Sequence, residues 1–121
     1  MLYKIRNDLH NAEILKLLED DDGIYPIFYS YAEITKKAYI IYQIYDERVD
    51  FYAGNEEKST IFYVQIDIFS RDECVESLGE VIKKVLREKG YRLINIFGRY
   101  EKDTKLYHKI LRFNFSKLKE D

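Results

Sequence analysis

Two apolar stretches contain the polar side chains best suited to chemistry in this 121-residue chain. Asp67 lies within residues 63–69, while His108 and Arg112 lie within residues 106–113. An aspartate paired with a histidine is an arrangement that general acid–base catalysis uses. Catalysis would also need a cleft and an activated nucleophile or a metal ion, and the sequence identifies neither. We therefore expect no enzymatic activity and interpret these three side chains as polar anchors in a sheet face.

Sequence motifs for other reactions or ligands are not found. The chain has no glycine-rich phosphate loop and no nucleophile elbow. Cys74 is the single cysteine, so it has neither a disulfide partner nor zinc-binding neighbours. The acidic run at residues 19–22 lacks the alternating spacing of a calcium-binding loop. The sequence thus predicts no catalytic residue, no cofactor and no metal site.

The charge and hydropathy of the chain argue against two classes of partner. A formal net charge of -2 with scattered basic residues gives no field to attract nucleic acid or an anionic membrane. No stretch approaches the roughly 20 apolar residues that span a bilayer, and no secretory leader precedes the first predicted helix. We expect a protein that folds in the cytoplasm of its cell and recognises neither a nucleic-acid sequence nor a membrane.

Apolar periodicity predicts two helices. The first spans residues 2–18, and its apolar stripe consists of Ile5, Leu9, Ala12, Leu15 and Leu18. The second begins after Ser70 and Glu73, which we interpret as a capping box, and ends at Gly90. The apolar stripe of this second helix is long enough to cover a sheet face.

Runs of β-branched and aromatic residues predict four strands, at residues 38–45, 59–69, 91–100 and 105–115. Pro26 interrupts a further apolar stretch, residues 24–31, which is either an edge strand or an extended connector. Charged residues dominate residues 46–58, which we predict to be a long loop. Residues 116–121 are predicted to form a polar tail.

The predicted order is helix, strand, strand, helix, strand, strand, within a single domain of residues 1–121. This order predicts a two-layer α+β fold. We expect a mixed, mainly antiparallel sheet of about four strands, with two helices packed on one face. The other face is then free to meet solvent or a neighbouring molecule.

The aromatic content points to an interaction surface on that second face. The chain has 12 tyrosines, 7 phenylalanines and no tryptophan. Twelve tyrosines are more than one small core can bury with every hydroxyl bonded, so some should face a partner. Gln43 and Gln65 alternate with aliphatic residues, and a face of mixed polarity is typical of subunit interfaces. A solvated face with cross-strand ion pairs is the alternative.

The predicted loop at residues 46–58 carries Tyr52, Asn55 and Glu56. Long charged loops of this kind are either solvated hairpin tips or arms that become ordered against another subunit. Both interpretations stay open from the sequence alone.

Several stretches, taken together and in order, resemble the tail-completion (tail-terminator) proteins of long-tailed bacteriophages and Firmicutes prophages. The matching stretches are Gly23-Ile24-Tyr25-Pro26, Tyr39-Ile40-Ile41-Tyr42, Tyr52-Ala53-Gly54-Asn55-Glu56, Val64-Gln65-Ile66-Asp67-Ile68, Gly90-Tyr91-Arg92, Tyr107-His108-Lys109 and Arg112-Phe113. The resemblance covers nearly the whole chain. Gly54 stands where the family pattern has an acidic residue.

The resemblance implies a structural protein of the virion that acts by binding. Members of this family form a ring, typically a hexamer, that caps the finished tail tube and then docks to head-completion or connector proteins. The implied partners are other copies of the chain, the tail tube protein and the head-completion protein. The implied location is the host cytoplasm during assembly and then the head–tail junction. The interface candidates are Tyr52, Asn55, Glu56, Asp67, His108 and Arg112.

Two alternatives belong to other classes of binding protein. One is a small acidic cytoplasmic inhibitor of the immunity type, which would present its acids and tyrosines as one patch. The interspersed acids and bases of this chain do not favour it. The other is a neighbouring head–tail joining protein of the same virion.

Overall fold

A computed structural model describes residues 1–18, 25–32, 37–53 and 56–118, with the backbone alone for residues 50–53 and 56–58. Three helices and five strands lie in these ranges. Their order is α1 (Leu2–Leu9), α2 (Ala12–Leu17), β1 (Ile27–Tyr29), β2 (Ala38–Ala53), β3 (Glu56–Ser70), α3 (Cys74–Glu88), β4 (Arg92–Glu101) and β5 (Leu106–Leu118). None of the described helices is both long and apolar enough to cross a membrane.

The five strands form one sheet in the order β1-β2-β3-β5-β4. β1 is parallel to β2, and all other neighbours are antiparallel. The predicted α+β class, with its mixed and mainly antiparallel sheet, is therefore confirmed. The additional strand is β1, which lies at the edge of the sheet and begins directly after Pro26. Proline has no amide hydrogen, and this is tolerated at a sheet edge.

The helices form the second layer on one face of the sheet. α3 contacts β3, β4 and β5, while α1 packs against β2 and α3. The largest fully buried side chains between the layers come from the three described helices and from β2, β3 and β5. They include Ile5, Leu9, Ile14, Ile40, Val64, Ile66, Ile68, Leu78, Ile82, Leu86, Leu111 and Phe113. Burial of each such side chain contributes on the order of 1.5–3 kcal/mol, so this interface holds the two layers together.

The predicted single helix at residues 2–18 is wrong, because the chain breaks at Asn11. Asn11 is extended, with φ -80° and ψ 142°, and its side chain accepts a hydrogen bond from the Glu13 amide at 2.9 Å. An asparagine in this position starts a new helix. The break also changes the buried face, since Ile14 is fully buried while Ala12 is exposed.

The predicted loop at residues 46–58 is also wrong. β2 continues to Ala53 and β3 begins at Glu56, so the two strands pair almost to the end of the hairpin. Charged side chains do not prevent pairing where a strand faces water on both sides, because the backbone supplies the ladder hydrogen bonds. Register shifts near Tyr45 and after Val49 mark irregularities within this ladder. The predicted polar tail likewise begins inside β5, which extends to Leu118.

The start of α3 is capped by Asp72 rather than by the predicted pair of Ser70 and Glu73. The Asp72 carboxylate accepts hydrogen bonds from the Cys74 amide and the Ser70 hydroxyl, each at 2.9 Å. It also lies 2.8 Å from the Lys37 ammonium group. The hydrogen bond from Lys37 is the main reason why the pKa of Asp72 lies well below its usual range.

Candidate functional site

The sheet face opposite the helices is the candidate functional site, and no described helix covers it. We call this surface the open face. Strand alternation places on it the residues that flank the buried core positions in sequence. They are Tyr39, Ile41, Gln43, Tyr45, Ile61, Tyr63, Gln65, Asp67, Phe69, Asn95, Phe97, Arg99, His108, Ile110 and Arg112.

A chain of polar contacts crosses the middle of the open face, and we call it the polar chain. Arg112 Nε donates to Gln65 Oε1 at 3.0 Å, and Gln65 Nε2 donates to Asp67 Oδ1 at 2.8 Å. The other carboxylate oxygen, Asp67 Oδ2, lies 2.7 Å from His108 Nε2. Because a carboxylate can only accept, the histidine nitrogen is the donor in this bond. The four side chains thus join β3 to β5.

His108 is held between two carboxylates. Its Nδ1 lies 3.2 Å from Glu101 Oε1, within ion-pair distance but without the alignment of a hydrogen bond. The His108 side chain is only 6% exposed, although it lies on the face without helices. A buried polar group needs partners, so the ring position is determined by Asp67 and Glu101 together.

Aromatic side chains bury the polar chain at one end. The rings of Tyr39 and Phe69 stack with centroids 4.8 Å apart, and the Phe69 and His108 rings stack at 4.1 Å. These three rings cross β2, β3 and β5. Burial raises the pKa of the Tyr39 hydroxyl, and the charge of Glu101 acts in the same direction. The stack explains how His108 becomes buried on a face that no helix covers.

Arg112 lies among aromatic rings at the other end of the polar chain. Its guanidinium carbon is 5.1 Å from the centroid of the Phe97 ring and 5.5 Å from that of Tyr45. Phe97 is 42% exposed and Tyr45 is 44% exposed. An arginine over aromatic faces is a favourable arrangement that still leaves the outer ring surfaces available to a partner.

The structure brings three of the six predicted interface residues together. Asp67, His108 and Arg112 all belong to the polar chain. Tyr52 and Glu56 lie in the ladder at the far end of the β2–β3 hairpin, on paired strands. Asn55 lies outside the described residues. Tyr52 and Glu56 therefore lie apart, along the strands, from the three residues of the polar chain.

The sequence alone did not indicate the stacked rings or Glu101 as members of this site. Tyr39 and Phe69 have the character of core residues, and the alternation of their strands was the only signal that placed them beside Asp67. Glu101 lies at the end of β4, and its contact with His108 depends on the pairing of β4 with β5.

The polar side chains of the open face bond mainly to one another, so they fix positions within the sheet. In the part of the chain that the structure describes, no three His, Cys, Asp or Glu side chains are grouped to hold a metal ion. A scan against protein-family models finds no match, and a search of curated proteins finds no significant similarity.

Proposed function

We propose that this chain is a structural subunit of a bacteriophage tail, which closes the tail tube by ring assembly and acts by binding without catalysis. The observation that carries the proposal is the open face, where an internally bonded polar chain lies beside exposed aromatic rings. The motif resemblance, which runs through β2, β3 and β5, supplies the phage context. On this proposal the subunit assembles in the host cytoplasm and remains at the head–tail junction.

The composition of the open face supports an assembly role. Interfaces between proteins are enriched in tyrosine, phenylalanine and arginine, and depleted in lysine and glutamate at their centres. The open face presents Tyr45, Phe97 and Arg112 together, with Tyr63 alongside, its ring centroid 5.9 Å from that of Tyr45. Arg112 is already oriented by Gln65, so little conformational entropy is lost when a partner covers it.

The β2–β3 hairpin supports the same role. Glu47, Arg48 and Val49 are all exposed on β2, so this part of the ladder faces water without cover from the described helices. A paired extension of this kind is stiffer than a loop and can reach a neighbouring subunit. The family resemblance marks Tyr52, Asn55 and Glu56 as interface candidates, and the first and last of these lie on the paired strands of this hairpin.

The deciding experiment measures mass in solution over a concentration series, followed by negative-stain imaging with tail tubes of the same phage. We expect closed rings, free or at tube ends, and a stop to further tube growth. A chain that stays monomeric at high concentration and leaves tube ends bare would contradict the proposal. A monomer that instead binds one foreign protein tightly would favour the inhibitor class.

A further inference from the structure

The two edges of the sheet are both open within the described residues. At one edge, β4 pairs with β5 alone along its whole length. At the other edge, β1 pairs only with Ile40–Tyr42, so the rest of β2 has no described strand on that side. Unpaired backbone groups on an edge strand are a template for another strand.

β4 lacks most of the features that normally protect a sheet edge, apart from a register shift between Leu93 and Asn95. It contains neither proline nor lysine, and its charges lie near the two ends, at Arg92, Arg99 and Glu101. Between them, Ile94 and Ile96 are 45% and 39% exposed, and Phe97 is exposed to a similar extent. A long edge with exposed apolar residues is typical of a strand that pairs with another chain.

The free part of β2 borders a cleft of about 590 Å³. Apolar residues of α1 and the sheet line this cleft together with two acids, Asp46 and Glu47. Asp46 already pairs with Arg48 at 2.8 Å, which leaves Glu47 as the acid without a described cation on this edge. β4 carries Arg99 near one end and apolar residues in its middle, so its polarity resembles that of this edge and it adds a cation beside the two acids.

We propose that β4 of one copy pairs, antiparallel, with the free edge of β2 of the next copy, which joins the sheets of neighbouring subunits head to tail. In this register residues 96–99 face residues 46–49, the regular part of β2 between two of its register shifts, with Ile96 opposite Val49 and Arg99 opposite Asp46. The inference rests on the proposed function, since it names the contact that builds the ring. A head-to-tail contact of two different surfaces closes into a ring when the rotation per subunit allows it.

The strand directions agree with this contact. β2, β3, β5 and β4 are successive antiparallel neighbours, so β4 runs opposite to β2 within one sheet. Two copies placed side by side in the same orientation therefore bring β4 against β2 in the antiparallel sense. Antiparallel pairing needs no crossover and allows direct cross-strand side-chain contacts.

The backbone of Ile96 faces the free edge. Tyr42 directs its carbonyl toward β1, where it accepts from the Ser30 amide at 3.0 Å. Tyr42 pairs with Ile66, which pairs with Leu111, which in turn pairs with Ile96, without a register shift at these residues. Tyr42 and Ile66 are therefore a non-hydrogen-bonded pair, and Ile66 directs its backbone groups toward Leu111, which bonds back to it. Leu111 and Ile96 are then a non-hydrogen-bonded pair, so the backbone groups of Ile96 point outward.

The same alternation makes Val49 the matching residue on β2. Val49 pairs with Thr60, and Thr60 occupies the same alternating set in β3 as Ile66. The backbone groups of Val49 therefore face the free edge of β2, as those of Ile96 face the free edge of β4. The register that joins Val49 to Ile96 also places Phe97 opposite Arg48, which lies over the Tyr63 ring.

Disulfide trapping tests this register. The variant is Val49→Cys with Ile96→Cys in a Cys74→Ala background, oxidised at high concentration and again on tail tubes. Within one chain, β3 and β5 lie between the two positions, which are therefore at least about 14 Å apart, because neighbouring strands are about 4.8 Å apart. That distance exceeds the span of a disulfide, so a bond between positions 49 and 96 joins two copies. We expect a ladder of covalent oligomers that ends at one ring size.

Two controls sharpen the result. Val49→Cys with Lys83→Cys places the second thiol on α3, and we expect no ladder. Ile96→Pro removes the outward amide that the contact needs, while Ile96→Ala keeps it. We expect assembly to be lost with proline and kept with alanine. If the proline variant does not fold, the disulfide ladder decides alone.

The outcomes separate this inference from the proposed function. Rings that cap tubes without a bond between positions 49 and 96 would overturn the edge contact and leave the proposed function standing. A covalent ladder whose oligomers ignore tube ends would support the contact and reject the tail role. A chain that is monomeric with and without tubes would overturn both.

Discussion

The ring of His108 connects three other side chains of the sheet. It bonds Asp67 through Nε2, faces Glu101 through Nδ1 and stacks on Phe69. Asp67 and Phe69 lie in β3, Glu101 lies in β4 and His108 itself lies in β5. The position of the ring therefore depends on how these three strands are paired. A catalytic dyad can have the same geometry, and in this sheet both side chains also contact neighbouring residues.

We expect His108→Ala to lower the free energy of unfolding by about 1–3 kcal/mol, because it leaves the Oδ2 atom of the buried Asp67 carboxylate without its donor. Denaturant unfolding at neutral pH measures the change. The matched control is His10→Ala, since among the described residues the His10 side chain bonds the Arg6 carbonyl at the helix surface. We expect this control to stay within about 0.5 kcal/mol of the parent chain. Equal effects at the two histidines would contradict the role assigned to the polar chain.

Among the elements, α3 depends on one acidic residue at its start. The Asp72 carboxylate bonds the first helical amide, the Ser70 hydroxyl and the Lys37 ammonium group. Helix capping of this kind contributes about 1 kcal/mol. The carboxylate is 44% exposed, so the ion pair with Lys37 adds little to the capping bond.

Asp72→Ala should reduce stability at neutral pH, with an effect that disappears in acid. The pKa of Asp72 is lowered in the folded protein relative to about 3.9 in the unfolded chain. The carboxylate therefore contributes stability above about pH 4, and this contribution is lost as pH falls through the folded pKa. Unfolding curves of both proteins at pH 7 and in progressively more acidic buffer measure the convergence.

Glu73→Ala is the matched control for this cap. Glu73 directly precedes α3, and the sequence suggested it as part of the cap, yet the capping carboxylate is that of Asp72. We expect the Glu73 variant to unfold with nearly the parental free energy at every pH. A pH-independent loss in Asp72→Ala, or an equal loss in Glu73→Ala, would refute the assignment.

Other elements differ from their sequence-based predictions for local reasons. The periodicity of residues 2–18 suits one helix, but the side chain of Asn11 bonds the backbone and restarts the chain as α2. The charged composition of residues 46–58 suits a loop, but paired backbones tolerate charges that face water. At Asn11 a bond from the backbone to a side chain, and in the hairpin the bonds between paired backbones, give a structure that the side-chain pattern does not predict.

At the scale of the whole molecule, the fold class and half of the site could be predicted from the sequence. Strand alternation was sufficient to place Asp67 and His108 on sheet faces. It could not show which face the helices cover, nor that Phe69 stacks on His108. That contact depends on the β3–β5 register, which pairs residues about 40 positions apart and leaves no local signal.

Assembly should depend on the open face more than on the helical layer. Phe97→Lys and Leu17→Lys are a matched pair, because the two side chains are 42% and 40% exposed in opposite layers. We expect the Phe97 variant to lose ring formation, since a charge replaces an aromatic contact beside Arg112. Sedimentation at several concentrations measures the loss. Rings that tolerate Phe97→Lys but not Leu17→Lys would place the interface on the helices instead.

The position of the β3–β5 pairing has a consequence for how the chain folds. β2 with β3, and β4 with β5, are hairpins of near neighbours in sequence, whereas Ser59 in β3 pairs with Leu118 in β5. Hairpins form within microseconds, and contacts across a long loop form later. A chain with both hairpins but no central pairing exposes four strand edges instead of two. We expect refolding yield to fall with protein concentration, because association during this interval competes with the closure of the sheet.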